Sequence, residues 1–167
     1  MGHREHRRAG PSSVPCAVVT ISDSRTAATD TSGRLICDAV RKAGHRLVDY
    51  RILKDDSRRI GAHLRRLASR GEASIALLTG GTGIGPRDVT CEALEGVLEK
   101  RLDGFGELFR ALSYRQIGSA AMLSRAMAGT CRGLFIFAMP GSEKAVRLAM
   151  RRLILPEMRH LAGLLED

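Results

Sequence analysis

Four glycines, Gly80, Gly81, Gly83 and Gly85, lie between an apolar run, Ile75 to Leu78, and a helical pattern that starts near Thr90. Glycine admits positive φ angles, and with no Cβ it lets the backbone come within contact distance of a ligand. Unpaired N–H groups in such a loop form an anion-binding nest, and a helix starting behind them adds the positive end of its dipole. Phosphate is the expected guest, held by the N–H groups of Gly80, Gly81 and Gly83, with the hydroxyls of Thr79 and Thr82 as further donors. Asp88 follows closely, and a carboxylate beside a phosphate repels it unless a cation such as Mg²⁺ lies between them. The same glycines also admit a plainer reading as a tight strand-to-helix turn with no ligand. Two nucleotide loops are excluded. Pro86 rather than lysine follows Gly85, so G-x-x-x-x-G-K-[ST] fails, and G-x-G-x-x-G is absent.

The elements that position this loop recur along the chain. Cys16 to Ile21 reads as a strand ending in Ser22 and Asp23. Asp30, Thr31 and Ser32 can cap the next helix, which Gly44 stops, so Asp30 is either a cap or a substrate contact. A second strand, His45 to Leu53, ends at Lys54, Asp55 and Asp56, an acidic pair that helix capping by Asp56 or Ser57 can explain. "GFGELFRALSYRQIG" reads as an amphipathic helix, with Glu107 within reach of the glycine loop. Two strands follow around a Thr130 to Gly133 turn, the second, Leu134 to Met139, apolar throughout and therefore central. Pro140 and Gly141 make another strand-to-helix turn, Ser142 caps the last long helix, and Pro156 interrupts it. Such alternation predicts a three-layer α/β/α domain with a mainly parallel sheet and one antiparallel edge. Ligands collect at the carboxyl ends of strands in open α/β sheets. Ser22, Asp23, Asp55, the Gly80 to Asp88 loop and Pro140 to Ser142 are therefore expected at one mouth.

A chain of 167 residues fits one domain, expected over 16–167. Residues 1–15, "MGHREHRRAGPSSVP", carry too little apolar surface to offset the entropy of ordering and read as a disordered basic arm, with His3 and His6 solvated. Cys16, Cys37, Cys91 and Cys131 show neither C-x-x-C pairs nor a disulfide framework, which predicts reduced thiols. No apolar run reaches spanning length and none follows the charged N-terminus as in a signal peptide, so the cytoplasm is expected and a membrane is not. The net charge of +9, carried almost wholly by arginine, suits anionic ligands. It also suits nucleic acid, but 4% aromatic residues without tryptophan leave little to stack on bases, and no helix-turn-helix, zinc-finger or RRM signature occurs.

Taken together and in order, "TISDSR", "TGGTGIGPRDVT", "GFGELFR", "AMLSRAMAG" and "FAMPGS" resemble the MoaB/MogA family of molybdenum cofactor biosynthesis proteins, which bind molybdopterin. The resemblance runs from about Cys16 to the C-terminus. It implies a molybdopterin-binding-domain fold, a homotrimer or hexamer, and other proteins of the same pathway as partners. Catalytic members transfer AMP from Mg-ATP to the terminal phosphate of molybdopterin and release pyrophosphate. By resemblance Asp55 and Asp88 are catalytic and hold Mg²⁺ through phosphates, and Ser124 joins Ser22, Asp23, Asp30, Thr79, Gly80, Gly81, Thr82, Gly83, Pro140, Gly141 and Ser142 at the substrate. No protein nucleophile is needed, because the attacking group is the substrate's own phosphate. Two departures stand out. Cys91 occupies a place usually held by proline, and Ala138 one where adenylylating members have Asn, as in the MoaB-like form. The second departure leaves room for a molybdopterin carrier without turnover, and a basic nucleic-acid-binding protein is the more distant alternative.

Overall fold

The computed structural model describes residues 10–165. Six strands form one sheet in the order β2-β1-β3-β6-β5-β4, where β1 is Pro15–Ile21, β2 Arg46–Leu53, β3 Ile75–Thr79, β4 Lys100–Arg101, β5 Met127–Cys131 and β6 Leu134–Met139. The pairs β1/β2, β1/β3 and β3/β6 are parallel, while β5 runs antiparallel to β6 and β4 antiparallel to β5. The expected three-layer fold is therefore present, and its antiparallel edge is two strands wide. β4 escapes a sequence reading because two charged residues carry no alternation, and charge on an edge strand serves to discourage pairing with other chains.

Residues of β3 are buried throughout, as a strand covered on both faces must be. One face of the sheet, through Cys16, Val18, Leu77 and Phe137, packs against α1 (Thr31–Lys42), α4 (Asp103–Ile117), α5 (Glu143–Ala149) and α6 (Leu155–Gly163). The other, through Ala17, Val19, Leu78 and Ile136, packs against α2 (Ser57–Arg70) and α3 (Thr90–Glu95). Asp56 caps α2 by accepting from the Arg59 N–H at 3.0 Å. Ser142 caps α5 in the same way, accepting from the Ala145 N–H at 3.2 Å. Arg132 and Gly133, at φ 46° and 76°, close the β5–β6 hairpin in the mirror-image turn that suits strand twist. Pro156 does not break the last helix. Met150–Ile154 forms a π segment in which the Leu155 N–H reaches back to the Met150 carbonyl, and the proline then sits in the first turn of α6, where no N–H is missed.

Of the arm expected at 1–15, residues 1–9, with His3 and His6, lie outside the described residues. Pro15 already pairs with Arg46, and Val14 is fully buried with its N–H donated to His45 Nδ1 at 3.2 Å. Arg159 holds the carbonyls of Pro11 and Gly10 at 2.9 and 3.4 Å. The four cysteines are free and buried, and no helix among the described residues is long and apolar enough to cross a membrane.

Candidate functional site

Strand β1 is flanked by β2 on one side and β3 on the other, so the chain reverses its winding direction there and opens a crevice at the strand ends. The glycine loop rises from β3 directly into that crevice. Gly80 has φ 99°, and a Cβ on it would lie 2.3 Å from the Ile21 carbonyl oxygen, so only glycine lets the loop cross the end of β1. Thr90, fully buried at the start of α3, clamps the turn. Its hydroxyl donates to the Gly80 carbonyl at 2.8 Å and its N–H to the Gly81 carbonyl at 3.0 Å. The N–H groups of Gly81, Thr82 and Gly83 have no partner among the described residues and remain available to an anion.

Several expected donors are engaged elsewhere. The Gly80 N–H goes to the Met139 carbonyl at 3.0 Å, extending the β3–β6 ladder, so this glycine shapes the cradle without donating to it. The Thr79 hydroxyl, fully buried, donates to the Pro140 carbonyl at 3.2 Å and ties the two turns together. Asp30 is 1% exposed and its carboxylate accepts from Thr20 Oγ1 at 2.6 Å, the Gly33 N–H at 2.9 Å and the Tyr50 hydroxyl at 2.5 Å. With three donors it caps α1 from inside the wall, and burial with the Asp30 carboxylate pushes the Tyr50 phenol well above its ordinary range. The expected dipole contribution is small, because α3 spans only six residues and has no side-chain cap.

Three carboxylates converge on the loop. Asp55 Oδ1 lies 3.1 Å from the place a Gly81 Cβ would take, and Asp88 Oδ2 lies 2.7 Å from that of Gly83 while accepting the Gly85 N–H at 2.9 Å. Asp23 accepts the Asp55 N–H at 3.4 Å and pairs with Arg87. Burial, followed by the neighbouring charge of Asp23 and then Asp88, holds the Asp55 carboxyl above the usual carboxylate range, with Arg87 in partial opposition. No group of three or more His, Cys, Asp or Glu among the described residues is arranged to hold a metal alone. Two aspartates fit Mg²⁺ in the other way it is commonly bound, by one or two carboxylates together with substrate phosphates.

Below the loop a pocket of about 300 Å³ is lined by Thr82, Gly83, Ser124, Pro140 and Ser142, with Phe109, Ile117, Leu123 and Leu148 as apolar walls and Lys144 at its side. Ser22, Thr79, Gly80 and Gly141 line a smaller cavity of about 90 Å³. The Ser22 hydroxyl there accepts the N–H groups of Ser24 and Arg25 at 3.2 and 3.1 Å. The predicted residues thus gather along one edge, in two cavities and a carboxylate cluster. Glu107 lies apart. It lines a polar cavity with Arg101, Arg110 and Arg125. Ala138 is fully buried in the core facing α2 and α3 and lines none of these cavities, so its lack of donors does not reach the pocket directly.

Arg125 is the residue that sequence reasoning missed, although "AMLSRAMAG" contains it. Its Nε donates to the Gly83 carbonyl at 2.7 Å, one terminal nitrogen to the Asp88 carbonyl at 2.9 Å, and the other to Glu92 Oε1 at 2.5 Å. Its own N–H donates to the Thr82 carbonyl at 3.0 Å, and the Cys91 thiol donates to its carbonyl at 3.2 Å. One planar guanidinium therefore holds both ends of the loop segment that carries Gly83 and Asp88.

Residues 17–160 match the family described as a probable molybdopterin binding domain. Molybdenum cofactor biosynthesis protein B of Bacillus cereus is 48% identical over 162 residues, 96% of this chain and 96% of that protein. A crystal structure of a molybdenum cofactor biosynthesis protein B superposes with a TM-score of 0.90 at 48% identity, covering 93% of this chain and 98% of the other. The tungsten cofactor synthesizing protein MoaB of Pyrococcus furiosus superposes at 0.83 with 34% identity, covering 94% and 99%. With its glycine loop, three-layer α/β/α fold and nearly full-length likeness to these proteins, the chain belongs to the MoaB/MogA family of molybdopterin-binding domains.

Proposed function

We propose that the protein acts in molybdenum cofactor biosynthesis, binding molybdopterin at the glycine loop and adenylylating its terminal phosphate with Mg-ATP. The observation that carries this reading is the convergence of Asp55 and Asp88 on a loop whose Gly81, Thr82 and Gly83 N–H groups stand unpaired among the described residues. Donors for phosphate and carboxylates for a cation meet at one place. The pocket under the loop supplies apolar walls for a ring system, with Ser124 and Ser142 hydroxyls at its polar side.

Two phosphate-bearing substrates repel one another, so catalysis consists mainly of positioning and charge neutralisation. The loop N–H groups would orient one phosphate, Arg125 keeps the loop preformed, and Asp55 and Asp88 would hold Mg²⁺. When bound, Mg²⁺ supplies Lewis acidity and a template for the reacting oxygens. The clustered carboxylates beside the loop support a role for a cation in this reading. Burial first, and then the charges of Asp23 and Asp88, hold the Asp55 carboxyl above its usual range, with partial offset from Arg87.

Mass spectrometry of the pterin after incubation with ATP and Mg²⁺ tests the proposal. A product heavier by an adenylyl group supports it. Unmodified pterin recovered in complex with the protein supports the second reading, a carrier without turnover. That reading is favoured by Arg87, whose pairing with Asp23 already places positive charge beside Asp55. A trimeric or hexameric assembly belongs to the same proposal. Leu108, Tyr114 and Met122, exposed at 57%, 64% and 77% on α4 and the turn after it, give such an assembly apolar surface to cover, and sedimentation velocity reads its mass.

A further inference from the structure

An open groove of about 630 Å³ runs beside the pocket, between the C-terminal end of α4 and the face formed by α5 and the π segment. Gln116, Ile117, Lys144 and Leu148 line both, so groove and pocket share a wall. The outer wall consists of Arg147, Arg151 and Arg152, and no acidic side chain among the described residues lines the groove. Arg147 reaches Glu143 at 3.7 Å, whereas Lys144, Arg151 and Arg152 are exposed and have no ion-pair partner among the described residues. A neighbouring groove on the α1 side of Arg147 and Arg151 carries Asp38 and Glu143 as counter-charges. Uncompensated positive charge is therefore concentrated on the side next to the pocket.

We propose that this groove docks an acidic segment of a partner protein, with carboxylates along Lys144, Arg151 and Arg152 and an apolar side chain against Ile117 and Leu148. The cations lie along one helical face from Lys144 to Arg151, about 10 Å at a rise of about 1.5 Å per residue, which matches roughly three residues of an extended chain. A compact phosphate is a poorer occupant, because the groove is open and its charges stand on long separate side chains rather than around a cluster of N–H groups. A nucleic acid is a poorer one too, since apolar Ile117 and Leu148 offer no stacking surface. Charge of one sign beside the pocket also steers an acidic partner to this face. The proposal holds whether or not the pocket turns its ligand over.

Binding of a short fluorescein-labelled peptide alternating glutamate and leucine, measured by anisotropy at physiological salt with the full chain, tests it. The double variant R151E/R152E is expected to bind at least about tenfold more weakly, and R46E/R58E, on β2 and α2 away from the groove, within about twofold of wild type. Thermal unfolding of both variants verifies that they are folded. Equal weakening by the two pairs would reduce the effect to net charge and overturn the proposal, as would no weakening by R151E/R152E. Tighter binding of a single-stranded oligonucleotide than of the peptide, lost in R151E/R152E, would overturn it in favour of nucleic acid.

Discussion

Replacing Arg125 by alanine removes the clasp that holds the glycine loop to the entry of β5. Two charge-assisted hydrogen bonds go, from Nε to the Gly83 carbonyl and from the terminal nitrogen to the Asp88 carbonyl. Each is worth about 1.5 kcal/mol at the lower end for a charged donor. The ion pair with Glu92 adds only about 0.5 kcal/mol, because its side chains are 34% and 50% exposed and solvent screens them. We expect Arg125→Ala to destabilise the fold by about 3.5 kcal/mol, lowering the unfolding midpoint by roughly 7–14 °C for a domain of this size. Arg125→Lys should recover part of the stability, since an ammonium reaches one carbonyl but cannot span both. Glu92→Gln separates the contributions. It keeps the clasp, and should cost less than about 1 kcal/mol. Calorimetry of the three variants decides. A midpoint for Arg125→Ala within about 2 °C of wild type, or a loss from Glu92→Gln as large as that from Arg125→Ala, would refute the clasp as the source of loop order.

Gly83→Ala places a methyl 2.7 Å from Asp88 Oδ2. By crowding the loop and moving the Gly83 N–H out of line with those of Gly81 and Thr82, it should weaken molybdopterin binding at least about tenfold in titration calorimetry. Unchanged affinity would remove this part of the loop from the site. Asp30→Asn puts an amide donor against the Thr20 and Tyr50 hydroxyls and should cost about 2–4 kcal/mol in chemical denaturation, whereas a residue whose role is substrate contact would leave stability unaltered. Because the Asp55 carboxyl is held above its unfolded value, its ionised form disfavours the folded state at neutral pH, and that penalty fades as acid protonates it. Asp55→Asn should therefore raise the unfolding midpoint at neutral pH, and the gain should vanish as pH falls through the usual carboxylate range near about 4. A gain that is independent of pH would contradict this electrostatic origin.

Local signals were what the sequence carried well. The run Ile75 to Leu78 followed by four glycines marks β3 and its loop, and short polar caps at Asp56 and Ser142 mark helix starts, because each depends on neighbours within a few residues. The destination of individual hydrogen bonds was not legible. Whether the Gly80 N–H faces a ligand or the Met139 carbonyl depends on how β6 lies against β3, and the Thr79 hydroxyl is claimed by Pro140 for the same reason. Arg125 reaches Gly83 across 42 residues of sequence, a distance at which an arginine in a strand-entry segment looks like any other exposed cation. Conversely, Ala138, whose departure from the Asn of adenylylating members left room for a carrier, is a core position, since strand alternation turns it toward α2 and α3.

The central claim is that Asp55 and Asp88 hold a cation that turns a pterin-binding loop into an adenylyltransferase. Pyrophosphate release from ATP with molybdopterin and Mg²⁺, measured beside pterin affinity for wild type, Asp55→Asn and Asp88→Asn, tests it most directly. The account predicts Mg²⁺-dependent release by wild type that falls by about 100-fold or more in each variant, with pterin affinity retained or tightened as repulsion of the ligand's phosphate is relieved. Tight pterin binding by wild type without Mg²⁺-dependent pyrophosphate release would contradict it.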